Sequence, residues 1–327
     1  MVVKDDRVVG RGFHPRAGMP HAEVYALAEA GGQARGATLY VTLEPCNHHG
    51  RTPPCTEAVI RAGIRRVVAG TLDPNPLVSG AGIRRLEEAG IEVEGGVLEA
   101  ECGDLIAWYR TWIRTGRPFV IMKAAVTLDG KIADSFGDSK WISSEASRAY
   151  VHELRNRVDA VIVGSGTVMS DDPLLTCRAP SGRNPLRVVL DARLRTDPGA
   201  RCLGEGSLVF TAAPRDAWSA HLSRGTKLAG MPPDGRGRLP WAGVLDALGR
   251  MGLHAVMVEG GSGVYTTLVE SALVDRFVFF VAPAVLGGGL GVVDHGGAVR
   301  LAQAARFVIA RLERMGDDVL VEGIPGG

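Results

Sequence analysis

The sequence predicts an α/β chain of two domains. Short apolar runs alternate with amphipathic helical stretches, the 327 residues are enough for two cores, and the strand pattern restarts after the turn RTGRP at 114–118. MVVKDDRVVGRG reads as a strand end, an Asp5-Asp6 turn and a second strand. TLYVTLE (38–44) and RRVVAGT (65–71) are apolar enough for buried strands. HAEVYALAEAG (21–31), CTEAVIRAG (55–63) and AGIRRLEEAG (81–90) read as helices that stop at glycine. One further helix covers 99–115, so the domains are expected at 1–115 and 116–327.

The second domain opens with the strand FVIMKAAVTL (119–128). AVIVG (160–164), LRVVLD (186–191), SLVFTA (207–212), AVMVEGG (255–261) and FVFFVAP (277–283) follow, with a closing pair at 306–323. Asp129-Gly130, between apolar runs, is a hairpin signal. Segment 225–243 is rich in Gly, Pro and Arg and is expected to be an exposed loop.

Composition excludes several function classes. With 37 basic and 36 acidic residues the formal net charge is +1, which argues against a nucleic-acid binder or a polybasic membrane-surface protein. The 46% hydrophobic share is that of a folded protein, not of a disordered one. Forty-four glycines, roughly twice the usual share, point to many tight turns and ligand-approach loops. Five cysteines are an odd number and make no disulfide framework, which favours a reducing cytoplasm. No apolar signal-peptide core opens the chain, and the uncharged run Phe277–Val293 is broken by Pro283 and three glycines, so no membrane span is expected.

The strongest chemical signal is His21-Ala22-Glu23 followed by Pro45-Cys46 and Pro54-Cys55. A catalytic zinc takes three protein ligands and keeps a place for water, and His21, Cys46 and Cys55 supply that number. Residues two apart lie about 200° around a helix, so His21 and Glu23 must sit at a helix start to serve one site. Glu23 is then the proton carrier, taking a proton from the attacking water and passing it to a leaving amine. A closed structural site would need a fourth ligand, for which His14, His48 and His49 are the candidates. Zinc deaminases usually carry Pro-Cys-x-x-Cys, whereas NHHGRTPP separates the two cysteines here, and its His48, His49 and Arg51 suit an anionic group.

In the second half, Gly164-Ser165-Gly166-Thr167 and Gly260-Gly261-Ser262-Gly263 each follow a strand. Either is compatible with a phosphate held at a helix start or with a plain strand-to-helix turn. Lys123, Ser139, Arg155 and Arg178 are the polar candidates for a substrate, and Lys123, in an apolar run, needs a partner. Cys102, Cys177 and Cys202 read as ordinary thiols.

PCNHHGRTPPC, with HAE before it and DPNP (73–76) after it, resembles the bifunctional riboflavin-biosynthesis deaminase/reductase family. KAAVTLDGKIA (123–133), GDSKWISS (137–144), VGSGTVMSDDPLLTCR (163–178) and VEGGSGV (258–264) extend the resemblance over nearly the whole chain. It implies a three-layer domain similar to cytidine deaminase, followed by an α/β domain similar to dihydrofolate reductase. It implies removal of the 2-amino group of 2,5-diamino-6-ribosylamino-4(3H)-pyrimidinone 5′-phosphate, then reduction of the ribosyl to the ribityl side chain, with Zn²⁺ and NADPH as cofactors.

Residue by residue, the resemblance implies zinc ligation by His21, Cys46 and Cys55 with Glu23 as proton shuttle, and deaminase substrate contacts at His48, Arg51, Asp73 and Asn75. In the reductase it places Lys123 near the reacting sugar carbon and the substrate against Ser139, Arg155, Arg178 and Glu259. NADPH would meet Ala125, Trp141, Thr167, Asp171, Leu175 and the turn Gly261, Ser262 and Gly263. Trp141 could equally be a core residue. The resemblance further implies a homo-oligomer formed through the reductase domain and no nucleic-acid or membrane partner. Family members carry about one more helix and strand at the start, including an Asn-Pro-x-Val-Gly segment. The deaminase domain is therefore expected to be N-terminally truncated, and a chain active only as a reductase is the second reading.

Overall fold

A computed structural model describes residues 1–327 apart from 17, 51, 77, 295–299 and 327. It divides into two compact units, Met1–Thr115 and Gly116–Gly327.

The first unit contains strands β1 (Val2–Lys4), β2 (Arg7–Gly10), β3 (Thr38–Leu43), β4 (Arg66–Thr71) and β5 (Glu92–Gly95). Its helices are α1 (Ala22–Ala30), α2 (Cys55–Ala62), α3 (Ala81–Glu88), α4 (Glu99–Leu105) and α5 (Ala107–Thr115). The sheet order is β2-β1-β3-β4-β5, antiparallel across β1 and parallel from β3 to β5. Asp5 and Asp6, at φ 48° and 57°, form the two-residue turn between β1 and β2; Asp is among the few residues that accept this left-handed region. Val2, Leu39, Val59, Val67 and Leu86 are fully enclosed where helices meet the sheet. The helix expected over 99–115 divides at Ile106, whose φ of −103° and ψ of 11° leave the helical range.

The second unit adds β6 (Phe119–Thr127), β7 (Lys131–Ala133), β8 (Ala160–Gly164), β9 (Leu186–Leu190), β10 (Ser207–Thr211), β11 (Lys227–Gly230), β12 (Ala255–Val258), β13 (Arg276–Ala282), β14 (Leu290–Gly291), β15 (Phe307–Met315) and β16 (Asp318–Pro325). Its helices are α6 (Glu145–Arg157), α7 (Ser165–Asp171), α8 (Ser219–Leu222), α9 (Trp241–Arg250) and α10 (Ser262–Glu270). Nine strands run in the order β11-β10-β9-β8-β12-β6-β13-β16-β15. Every neighbouring pair from β11 to β13 is parallel, and β16 and β15 close the sheet antiparallel. The central strands β8 and β12 are almost wholly apolar and buried along their length, as expected of parallel strands covered on both faces.

Two sequence expectations change here. Segment 225–243 is not one loop: β11 pairs with β10 at the sheet edge and α9 begins at Trp241, leaving 225–226 and 231–240 outside regular elements. KLAG has no β-branched residue, so a short edge strand leaves little trace in sequence. The Asp129-Gly130 turn is present, closed by the Gly130 N–H donating to Thr127 O at 2.9 Å. It does not make a β6–β7 hairpin, however, because β7 pairs with β14.

Candidate metal centre and reductase cleft

In the first unit, Pro20 precedes the start of α1, His21 is its N-cap, and Glu23 lies in its first turn. Cys46 follows β3, and Cys55 is the first residue of α2 after the N-cap Pro54. His21 Nδ1 stands 3.5 Å from Cys46 Sγ and 3.2 Å from Cys55 Sγ, and the three donor atoms all lie within 4.8 Å of one another. Tetrahedral zinc with Zn–N of about 2.0 Å and Zn–S of about 2.3 Å separates N from S by about 3.5 Å, so this donor set fits the ion. Among the described residues the cluster has three donors, and His14, His48 and His49 are not in it. His14 instead has its Nδ1 3.1 Å from Pro20 O and its ring edge-on to His21. The geometry is that of an open site.

The cluster polarises itself. The Cys46 thiol is held well below its ordinary value, chiefly by its hydrogen bond with Cys55; burial opposes this and His21 assists. The same hydrogen bond pushes Cys55 far above the ordinary thiol range, with burial and Glu23 adding to it. The Cys55 N–H, at the start of α2, also donates to Cys46 Sγ at 3.4 Å. Glu23 is 8% exposed, and burial raises its carboxyl above the usual value.

Asp73 is buried, its Oδ1 accepting from the Asn75 N–H at 2.9 Å and the Tyr109 hydroxyl at 3.0 Å. Asn75 is half-buried beside it, and His48 is exposed in the stretch joining the cysteines. Arg51 lies outside the described residues. Sequence reasoning passed over Glu44, which is 4% exposed. Its carboxylate accepts from the backbone N–H groups of Asp73 (3.2 Å), Gly80 (2.9 Å), Gly82 (2.8 Å) and Ile83 (3.3 Å). Gly82 permits this approach, since a Cβ there would fall 1.9 Å from Pro45 O. A carboxylate ending an apolar strand, one residue before Pro45-Cys46, was the available signal.

In the second unit, the turns following β8, β9 and β12 converge at the carboxyl ends of these parallel strands, where ligands bind in open α/β sheets. They line a cavity of about 750 Å³ that includes Thr167, Asp171, Gly261, Ser262 and Gly263. Ser262 is the first residue of α10, and its Oγ is buried with no hydrogen-bond partner among the described residues. A second cavity of about 520 Å³ takes in Lys123, Ala125, Trp141, Arg155, Leu175 and Glu259, with Arg178 at its edge. Ser139, Thr167, Asp171 and Gly261 line both. Trp141 is not a core residue: it is 69% exposed, with the Arg148 guanidinium 4.6 Å above its ring.

Arg155 and Glu259 are engaged with each other. Arg155 Nε and Nη2 donate to the two Glu259 oxygens at 2.7 and 2.9 Å, and Lys123 Nζ stands 3.9 Å from Glu259 Oε2. Burial lowers the Lys123 ammonium below its ordinary value, with Glu259 opposing and Arg155 assisting. Burial would raise Glu259, but the charge and hydrogen bonds of Arg155, with Lys123 and His152, bring it below its usual value. The Tyr265 hydroxyl donates to Lys123 O and fixes that stretch of β6. Arg178 donates from Nε to His152 Nε2 at 3.0 Å, and burial together with Arg155 and Arg178 lowers His152. Neither His152 nor Tyr265 stood out in sequence, because a lone His or Tyr on a helix carries no spacing signal.

A family model described as the RibD C-terminal domain matches residues 118–321. The chain belongs to the RibD family. A second model, the cytidine and deoxycytidylate deaminase zinc-binding region, matches residues 1–71. The riboflavin biosynthesis protein RibD of Aquifex aeolicus (strain VF5) is 42% identical over 98% of this chain and 90% of its own length. That of Escherichia coli (strain K12) is 38% identical over 98% and 90%. The Acinetobacter baumannii RibD structure superposes with a TM-score of 0.88 at 36% identity, covering 100% of this chain and 91% of the other. A diaminohydroxyphosphoribosylaminopyrimidine deaminase/5-amino-6-(5-phosphoribosylamino)uracil reductase from Thermotoga maritima gives 0.87 at 42%, covering 99% and 90%. RibD proteins are bifunctional enzymes of riboflavin biosynthesis, a zinc-dependent deaminase joined to an NADPH-dependent reductase. No described helix is long and apolar enough to cross a membrane.

Proposed function

We propose that residues 1–115 carry the deamination and residues 116–327 the reduction, on the substrates that the Thermotoga protein's description implies. His21, Cys46 and Cys55 hold Zn²⁺, which when bound supplies Lewis-acid activation of water. Glu23 takes the proton from that water at its buried carboxylate and returns it to the departing 2-amino group as ammonia. The Asp73–Asn75 turn, together with His48 and Arg51, orients the phosphorylated pyrimidine.

In the second unit NADPH supplies hydride when bound. The turn Gly261, Ser262 and Gly263 cradles its phosphates, and Ala125, Trp141, Thr167, Asp171 and Leu175 shape the remainder of its cleft. Lys123 holds a proton at Nζ beside the sugar, in a position fixed by Glu259 and Tyr265. Arg155 is the residue that holds Glu259, which leaves Arg178 and Ser139 for the substrate 5′-phosphate. A homo-oligomer through the second unit fits the open edge strand β15, and five cysteines outside any disulfide fit a cytoplasmic setting.

The meeting of three zinc donors beside a buried glutamate carries the deaminase assignment. Ammonia release and NADPH oxidation, assayed separately on the holoenzyme, test it. Glu23→Gln should abolish ammonia release while zinc content stays at one per chain. Undiminished release would overturn the role of Glu23, and a wild-type chain that oxidises NADPH but releases no ammonia would establish the reductase-only reading.

A further inference from the structure

We propose that His152 is a positioning residue for the reduction: its neutral imidazole holds the Arg178 guanidinium in place for the substrate 5′-phosphate without cancelling its charge. The inference rests on the reading that Arg178 meets that phosphate. Both residues line the cavity of about 520 Å³ that also takes in Lys123 and Glu259. His152 lies on α6 three residues before Arg155, so the two side chains share a helix face; one serves Arg178 and the other Glu259.

The imidazole lies along Arg178. Arg178 Nε stands 3.0 Å from His152 Nε2, and the Arg178 backbone N–H faces His152 Nδ1 at 3.2 Å. A neutral imidazole has one acceptor nitrogen, so it takes one of these donors at a time, whereas the protonated ring has only donors and takes neither. The segment that carries Arg178 is tied to α6 at two further points: Arg155 Nη1 donates to Thr176 O at 3.0 Å, and Cys177 Sγ to His152 O at 3.3 Å. Among the described residues Arg178 has no acidic partner within 4.0 Å, and its Nη1 and Nη2 groups make no hydrogen bond. Gripped at Nε, the guanidinium presents those two groups as the fork that takes a phosphate through two oxygens.

Charge explains the choice of acceptor. A carboxylate would hold Arg178 but neutralise it, as Glu259 does for Arg155. The charged and titratable groups facing His152 are Arg155 on its own helix, Arg178 and Cys177 on the segment after α7, and Glu259 after β12. Burial and the two arginines lower the imidazole below its ordinary 6.5, against Glu259 and a hydrogen bond with the Thr176 backbone, so the ring is an acceptor at neutral pH.

Steady-state reduction by the holoenzyme, with the phosphorylated substrate and with its dephosphorylated counterpart, tests the assignment. His152→Leu should raise KM for the phosphorylated substrate about five- to tenfold, as expected when one long side chain must be ordered on binding, with kcat and the KM for NADPH within about twofold of wild type. KM for the dephosphorylated substrate should stay within about twofold as well. His152→Gln, which places an amide oxygen near the position of Nε2, should recover most of the loss. The pH profile is a second readout and needs only the wild type and the Gln variant. As pH falls below 6.5 the wild-type KM should rise more steeply than that of His152→Gln, which follows only the titration of the substrate phosphate near about 6. Parallel profiles through the acid range, or a wild-type KM in His152→Leu, would overturn the inference. An Arg178→Ala variant with the wild-type KM for the phosphorylated substrate would instead overturn the reading beneath it.

Discussion

Arg155 and Glu259 form a two-pronged ion pair at 2.7 and 2.9 Å, with both side chains largely enclosed and the Lys123 ammonium 3.9 Å from the same carboxylate. One carboxylate therefore serves two buried cations. Because Glu259 directly follows β12 while Arg155 lies on α6, the pair also ties a helix to the strand end that lines the substrate cavity.

Glu259→Gln should be strongly destabilising, because it leaves Arg155 and Lys123 without a counter-charge. Removing one partner of a buried pair costs about 3–5 kcal/mol. The Glu259 carboxyl lies below its ordinary value of 4.5, so its contribution is present above pH 4.5 and is lost as pH falls through the lowered folded value. Urea unfolding of wild type and variant across the acid range checks this. The gap between them should be full near neutrality and narrow in acid; a gap independent of pH would count against the electrostatic account.

Zinc removal should separate the two activities. The three donors and Glu23 all belong to Met1–Thr115, while the reductase cleft is built entirely from Gly116–Gly327. Dialysis against a zinc chelator, or Cys46→Ala, should lower ammonia release at least about a hundredfold. NADPH oxidation on deaminated substrate should stay within about twofold of wild type, as expected of units with separate cores. Readdition of Zn²⁺ should restore ammonia release in the dialysed wild type and not in the cysteine variant. Equal loss of both activities would contradict the assignment of each reaction to its own unit.

Glu44 offers a different kind of test, since its carboxylate hydrogen-bonds the backbone around the substrate turn. Four N–H groups converge on its carboxylate, and truncation leaves them without acceptors in a buried place. At about 1–3 kcal/mol for each unsatisfied group, with relaxation and water entry reducing the sum, Glu44→Ala should cost about 2–4 kcal/mol. The Asp73–Asn75 turn is the part released, so the deaminase KM should rise more than kcat falls, with zinc content unchanged. Glu44→Gln keeps one acceptor oxygen and should recover part of the stability. A fall in kcat alone, with KM unmoved, would place the effect at the zinc centre instead.

The legible parts of this protein are those written in local pattern. The Val- and Ile-rich parallel strands, the glycine-stopped helices and the His21, Glu23, Cys46 and Cys55 spacing each leave a signature within a few residues. What sequence hid was made by tertiary pairing. Arg155 and Glu259 are 104 residues apart, and no local pattern shows that their side chains bind each other. β7 leaves β6 for β14 because Asp129 accepts the N–H groups of Leu286 (3.1 Å) and Gly287 (2.8 Å), drawing in a loop distant in sequence. Glu44 was hidden for a similar reason: its four donors come from residues 29 to 39 positions further on.

The last prediction concerns the open side of the nine-stranded sheet. β15 is the edge strand, and Val308, Ile309 and Leu312 on it are 59%, 57% and 65% exposed, with Val319 and Ile324 of the paired β16 also open. An exposed apolar edge strand is a template for pairing and is normally blunted by charge or covered by a partner. Arg311, Glu313 and Arg314 provide some charge, but Arg311 is paired with Glu313 and with Glu322, so the strand keeps apolar ground between compensated charges. A second copy of the chain lying along this edge would cover those side chains. Leu312→Asp, a charge placed in the middle of that face, should then shift the chain from dimer to monomer at micromolar concentration in sedimentation velocity, with a cost of about 2–5 kcal/mol in association. Because Leu312 touches neither cavity, zinc content and ammonia release should be unchanged. A wild-type chain that sediments as a monomer, or a variant that remains as dimeric as wild type, would exclude the β15 edge as the interface.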